Sequence, residues 1–471
     1  MAGFIARMPY YIRHYRTYLI LLTTPPPAGE GHLFDSQPTL PRDGRMHPEL
    51  VGVDEPIDAS VSIIIPTLNA GFEFTWLMRK LRAQRGLRQL EVVIVDSGSN
   101  DDTVAYAREA GCTIVEILPE AFSHSFARNS GAEVAQGDYL LFMVQDAYPI
   151  GDYWVYGMLR YLLDHAEANM AAVSCAEYSR SDSDMMYDWM INTHYSFLGC
   201  LERDRIGEFK GNNHTLLRSY GQLSDVACLI PKEVFGRYRY RGDYAEDLDL
   251  GIRLIKDGHR VAMLASVKVV HSHNRAAYYY LKRSFVDTVY LVGLFDDYAY
   301  PHVESVPGLI AGIVSTAAYL SDWLQSLDES DCSKHMGDEL SDWIRDWRRR
   351  FVEVRSSSPS RLGEARLDAY IDSLSARYLV AGWQRDGAAR REARSFLDAF
   401  LARLEHFNAF AGSVYRGQDE LLRRGLRDAV FKNFAATVGS TLGYMYMDLT
   451  QTTGASREMA ETIKNELKVG I

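Results

Sequence analysis

The chain has 471 residues, a formal net charge of −11, 47% hydrophobic residues and 24% charged residues. This is the make-up of a globular chain with a sizeable core and room for about three domains, and its acidic balance argues against broad nucleic-acid binding. Its five cysteines are odd in number, widely scattered and without a CxxC pair, so they read as free thiols of a reducing compartment, not as a disulfide frame or zinc site.

The first two dozen residues set Arg7, Arg13 and Arg16 among Phe4, Tyr10, Tyr11, Tyr15 and Tyr18, and end in Leu19-Ile20-Leu21-Leu22. The pattern suits an amphipathic helix, packed on the protein or lying on lipid. Its apolar run is too short to span a bilayer, and a small-residue cleavage site is lacking. Between Thr23 and Pro48 six prolines fall among glycines and polar residues, the composition of a linker or extended arm.

A regular rhythm follows. Val61-Ser62-Ile63-Ile64-Ile65 is a β-branched run stopped by Pro66, hence a buried strand. Phe74 to Arg85 has apolar residues near helical spacing, and Glu91 to Val95 predicts a second strand that ends in Asp96-Ser97-Gly98-Ser99. A helix over Thr103 to Ala110 and a strand over Thr113 to Val115 complete the alternation, which is that of a parallel sheet with crossover helices. Tyr139 to Val144 is a further buried strand, and it stops at Gln145-Asp146-Ala147. Asp146 thus sits at the carboxyl end of a strand, the edge where open α/β sheets bind ligands.

The loops at that edge carry the chemistry. Pro66-Thr67-Leu68-Asn69 and the turn after Asp96 would meet there, and neither is one of the two common glycine-rich phosphate cradles. Asp96 could accept hydrogen bonds from ribose hydroxyls or a base imide, or could simply cap its own turn. Arg128, in Ala127-Arg128-Asn129-Ser130-Gly131, could pair with a phosphate through its planar fork or be a surface arginine. Glu246, Asp247 and Asp249 stand at the mouth of an amphipathic helix, where capping and the helix dipole account for part of the cluster. His271 and His273 follow an apolar stretch and share a face if extended. They could ligate a metal or hydrogen-bond locally.

Met185 to Tyr240 is aromatic and irregular. Asp225 could face a substrate there, and Trp189, Tyr195, Tyr238 and Tyr240 are candidate sugar platforms or core. After Phe295 the texture is helical to the end, with expected helices near 309–320, 342–354, 365–380, 390–407 and 420–434. The stretch 309–320 is too short to span a bilayer.

VSIIIPTLNA, EVVIVDSGSNDDT, FSHSFARNSGAEVAQGDYLLFMVQDAYP, YAEDLDLGIRL and VKVVHSHN together resemble family 2 glycosyltransferases of the GT-A fold. The pattern is that of the bacterial rhamnosyltransferase-like branch, in which QDA replaces the usual DxD. The resemblance covers about residues 60 to 295. It implies an α/β, Rossmann-like GT-A domain with a mostly parallel sheet over 58–300, to which composition and helical spacing add an N-terminal segment and proline-rich linker over 1–57 and an all-helical domain over 301–471.

The reaction implied is an inverting, metal-dependent transfer of a sugar from a nucleotide-diphosphate donor, expected to be dTDP-L-rhamnose, to a glycan or lipid-linked acceptor. Asp247 would be the base, with Glu246 as its orienting neighbour or an acceptor contact. Thr67, Asn69, Asp96, Arg128 and Gln145 would bind the nucleotide sugar, Asp225 the acceptor, and Asp146 with His271 a Mg²⁺ or Mn²⁺ ion. A different nucleotide sugar (UDP- or GDP-linked), a nucleotidyltransferase acting on a sugar phosphate and a non-catalytic glycan-binding protein are the alternatives. No nucleic-acid partner is expected. The expected location is the cytoplasm, with peripheral contact to the inner face of the membrane and homo-oligomerisation left open.

Overall fold

The computed structural model describes residues 56–180, 182–329, 340–345, 387–416, 418–452 and 454–468. The basic aromatic segment, the proline-rich arm, most of the helix expected at 342–354 and all of that at 365–380 lie outside them. Two compact units divide the described chain. One takes in residues up to Ser183 together with Met190–His273; the other takes Asp184–Trp189 and the residues from Asn274 onward.

The first unit is built on a nine-stranded sheet. Its strands are β1 (Ile57–Thr67), β2 (Leu87–Asp96), β3 (Thr113–Glu116), β4 (Tyr139–Met143), β5 (Tyr148–Pro149), β6 (Met170–Tyr178), β7 (Arg205–Gly207), β8 (Ala227–Pro231) and β9 (Arg260–Val270). They lie in the order β3-β2-β1-β4-β8-β6-β9-β5, with β7 also on β9. β1 to β4, β6 and β9 run one way, while β5, β7 and β8 run against them. The sheet is thus mostly parallel, as the α/β, GT-A expectation requires.

The helices of this unit are α1 (Phe74–Arg82), α2 (Thr103–Glu109), α3 (His124–Val134), α4 (Trp154–Asp164), α5 (Met185–Leu198), α6 (His214–Gly221), α7 (Lys232–Tyr238) and α8 (Glu246–Lys256). The first turn of α5 is counted with the other unit. Val61, Ile63, Ile64 and Ile65 are fully buried, so both faces of β1 are covered, as a central parallel strand requires. In α1, Phe74, Leu77, Met78 and Leu81 make one buried stripe at i, i+3, i+4 and i+7.

Two contacts matter for the site. Gly131 lets α3 lie against β1 and β2, because a Cβ there would meet Ile64 Cγ2 at 2.5 Å and Val95 Cγ2 at 2.8 Å. Gly251 brings α8 onto α6, since a Cβ there would stand 1.8 Å from the Gly221 carbonyl oxygen. These glycines position Arg128 on α3 and the acids on α8.

The irregular stretch 185–240 holds α5, β7, α6, β8 and α7. β8 enters the sheet antiparallel between β4 and β6, and pairs Met143 with Ala227. β9 bulges between the residues opposite Cys175 and Ala176. Asp204 holds the bulge by accepting hydrogen bonds from Ala265 N, Ser266 N and Ser266 Oγ, each at 2.8 Å.

The second unit is helical: α9 (Ala277–Leu294), α10 (Val306–Glu329), α11 (Gly387–Val414), α12 (Asp419–Thr450) and α13 (Ala455–Leu467). Glycines set its close crossings. A Cβ at Gly439 of α12 would lie 2.0 Å from the Leu281 carbonyl oxygen of α9, and one at Gly308 of α10 would lie 2.3 Å from the Ala389 carbonyl oxygen of α11. Lys432 is buried and paired with Asp184 at 2.8 Å and with Asp428. Among the described residues no helix is long and apolar enough to cross a membrane.

Candidate active site

The candidate residues lie along one edge of the sheet, where β1, β2, β4, β6 and β9 end and the antiparallel β8 begins. Thr67 and Asp96 are in register at the ends of β1 and β2. Asp96 is buried and accepts four hydrogen bonds: from Thr67 Oγ1 at 3.0 Å, Ser99 Oγ at 2.6 Å, Gly98 N at 3.0 Å and Ser99 N at 2.8 Å. That is about the full accepting capacity of a carboxylate. The side chain thus caps the turn that follows β2.

Asn69 has φ of 46°, in the left-handed region. Its N–H donates to Ser99 Oγ at 2.8 Å and its Oδ1 accepts from Asn100 N at 2.9 Å. Gln145 pairs its amide with the Leu68 backbone in both directions, accepting from Leu68 N at 2.9 Å and donating to Leu68 O at 3.3 Å. Thr67, Asn69, Asp96 and Gln145 are therefore brought together as one stitched rim.

Beside that rim, one carboxylate oxygen of Asp146 and one ring nitrogen each of His271 and His273 all lie within 4.8 Å of one another. His271 Nε2 faces Asp146 Oδ1 at 3.4 Å, and His273 Nδ1 faces Asp146 Oδ2 at 3.4 Å. Both are long for hydrogen bonds. Glu177, at the end of β6, accepts from His271 Nδ1 at 2.5 Å. Burial lowers the His271 pKa, but Glu177 and Asp146 outweigh it and raise it to about 10. Burial raises the Asp146 pKa, yet His271 and then His273 hold the carboxyl well below its ordinary range. One carboxylate and two imidazoles, with a carboxylate behind one imidazole, are a donor set that fits a divalent cation.

The third group stands at the start of α8. Ala245, the residue before the helix, has φ of 48°, a strained conformation for alanine. Glu246 is buried and bonded to Arg128 Nη1, while Arg128 Nη2 reaches Asp225 Oδ2 at 3.1 Å. Arg128 is fully buried, so it is no surface arginine, and the fork expected at a phosphate holds two carboxylates instead. Burial lowers its pKa, but Asp225 and Glu246 outweigh this and keep it charged.

Asp247 Oδ2 accepts from Asp225 N at 3.3 Å. Burial first, then the charges of Asp225 and Glu246, push the Asp247 carboxyl well above the usual carboxylate range. Asp225 and Glu246 thus share the Arg128 guanidinium, and Asp247 stands beside them. Asp249 instead pairs with Arg253 one turn on, at 2.8 Å. Asp225 keeps 39% of its side chain exposed.

The sheet links these groups. Val144 N donates to Val226 O at 3.4 Å, so Asp225 and Asp146 flank the same strand end. Glu177 escaped notice in the sequence, although an acid closing the apolar run Met170 to Ala176 is the signal that marks Asp146. Trp189, Tyr195 and Tyr240 are buried and belong to the cores, not to sugar platforms.

Residues 62–238 match the family model described as glycosyl transferase family 2. The O-antigen chain rhamnosyltransferase WbaN of Salmonella anatum is 26% identical over 233 residues, 46% of this chain and 67% of that one. The amylovoran biosynthesis glycosyltransferase AmsB of Erwinia amylovora is 27% identical over 217 residues, 44% and 68% of the two chains. A solved mannosyltransferase from Pyrobaculum calidifontis, PcManGT in complex with GDP-Man and Mn²⁺, overlays at a TM-score of 0.40 with 13% identity, covering 93% of this chain and 97% of the other. The chain therefore carries a glycosyl transferase family 2 domain, similar in sequence to a bacterial rhamnosyltransferase, and is a glycosyltransferase.

Proposed function

We propose that the chain transfers L-rhamnose, with inversion, from dTDP-L-rhamnose to a hydroxyl of a glycan or lipid-linked acceptor. The observation that supports this reading is that Asp146, His271 and His273, a donor set suited to a cation, lie at the same sheet edge as a carboxyl held above its ordinary pKa. Asp146, His271 and His273 would hold Mn²⁺ or Mg²⁺, which when bound neutralises the leaving diphosphate.

Asp247 takes the proton of the acceptor hydroxyl as that oxygen bonds to the anomeric carbon and the bond to the diphosphate breaks. A single displacement of this kind inverts the anomeric centre. A base whose pKa lies near the working pH is the efficient one, and burial with two neighbouring acids moves a carboxyl in that direction. We assign the nucleoside to the rim of Thr67, Asn69, Asp96 and Gln145, with Asp96 acting through the loop that it shapes. Arg128 holds Glu246 and Asp225, and Asp225, which is partly exposed, faces the acceptor.

The catalytic domain is taken as 58–300 and the helical domain as 301–471. Free cysteines agree with a reducing compartment, here the cytoplasm, where a lipid-linked acceptor would be met at the inner face of the membrane. Release of nucleoside diphosphate from a panel of dTDP-, UDP- and GDP-sugars tests the donor. The dTDP-L-rhamnose reaction should be fastest, and preferential turnover of another nucleotide sugar would overturn the assignment.

A further inference from the structure

We propose that Glu177 is a positioning residue that makes Asp146, His271 and His273 a preformed site, one that takes Mn²⁺ before any nucleotide is bound. This rests on the reading above only for what the ion does during transfer. Glu177 is buried, and a buried carboxylate is retained where it has partners. It accepts from His271 Nδ1 at 2.5 Å and from the Tyr195 hydroxyl at 3.4 Å.

The sheet builds this contact. β6 and β9 are parallel, with Glu177 opposite Val269, and His271 two residues further on points to the same face. His271 N continues the ladder by donating to Tyr178 O at 2.9 Å. With Nδ1 held by Glu177, the ring plane is fixed and Nε2 is the nitrogen presented to Asp146. His273 faces the other Asp146 oxygen, and the two imidazoles lie edge to face with centroids 4.6 Å apart.

Three protein donors therefore converge without help from a donor diphosphate. A lone carboxylate would have to borrow phosphate oxygens to hold an ion. Two imidazoles also turn the preference toward Mn²⁺ and away from Mg²⁺, which favours oxygen ligands.

The test is Mn²⁺ binding to the full chain without nucleotide, read from the loss of the free-ion paramagnetic resonance signal. Wild type should bind one equivalent, and Glu177→Gln, which keeps the shape, should bind about 10- to 100-fold more weakly. Equal affinity in that variant would overturn the role of Glu177. Binding by wild type only when dTDP is added would overturn the preformed site.

A second readout needs no variant. In wild type loaded with Zn²⁺, imidazole nitrogen shifts should show His271 ligating through Nε2 with Nδ1 protonated. Ligation through Nδ1 would contradict the proposal. Because the ion alone is the probe, these results stand or fall separately from the donor assay.

Discussion

Asp96 and Asp247 lie along the same sheet edge, and the structure treats them in opposite ways. Asp96 is enclosed by its own turn, with four donors aimed at its two oxygens. Asp247 accepts from Leu248 N at 2.7 Å and from Asp225 N at 3.3 Å, but it also stands beside Asp225 and Glu246, which hold the Arg128 guanidinium between them. The first arrangement builds a loop; the second leaves a carboxyl whose pKa is pushed above the usual carboxylate range. An acid at the end of an element is thus not a site in itself. What decides is the balance of donors and charges around it.

That contrast can be broken most sharply at Asp247. Asp247→Asn should lower transfer by about 10²- to 10⁴-fold, the usual contribution of a general base, while dTDP binding measured by calorimetry stays intact. Near-normal turnover would place the base elsewhere. Arg128→Leu should come next, destabilising the fold by about 3–5 kcal/mol because Glu246 is left buried and uncompensated. Urea denaturation would measure this, and a loss below about 1 kcal/mol would mean that the buried pair is not what joins α3 to α8.

Asp96→Asn should raise the KM for donor and cost about 1–3 kcal/mol of stability by breaking the turn, with much less effect on kcat than the change at Asp247. Equal loss of kcat at both positions would erase the distinction between them.

The pH dependence carries the smallest and most specific effect. Transfer needs ionised Asp247, so activity should fall as pH drops through its raised pKa, giving an acid limb above the ordinary carboxylate range. Glu246→Gln removes one of the charges that raise it and should move that limb to lower pH. Stability has the opposite sign. A folded pKa above the unfolded one favours the protonated form, so the contribution of Asp247 is full below the unfolded pKa and is lost as pH rises through the folded one.

Much of the sheet was legible in the chain. β-branched runs stopped by proline or aspartate marked β1 and β2, and the apolar run ending in Gln145-Asp146 marked β4. β5 to β8 were not read as strands: β5 and β7 are two and three residues long, and β6 and β8 pair with segments far away in sequence. Asp146 and His271 stood out as candidates from motif and residue type, and the fold brings them together with His273. The raised pKa of Asp247 could not be read from the chain, since it depends on burial and then on Asp225, which is 22 residues away in the chain and is brought beside it only by the fold. Nor could the saturation of Asp96, which is set by the turn geometry of Gly98 and Ser99. Glu177 shows the same limit, as its partner is fixed only when β6 pairs with β9.

The central claim is that a cation cluster and a base at one edge act together on a nucleotide sugar. It is tested most directly by release of dTDP from dTDP-L-rhamnose, with a glycan acceptor, by wild type, His271→Ala and Asp247→Asn side by side in Mn²⁺. The account predicts turnover by wild type that disappears on chelation and is nearly lost in both variants. Metal-independent turnover, unchanged in either variant, would contradict it.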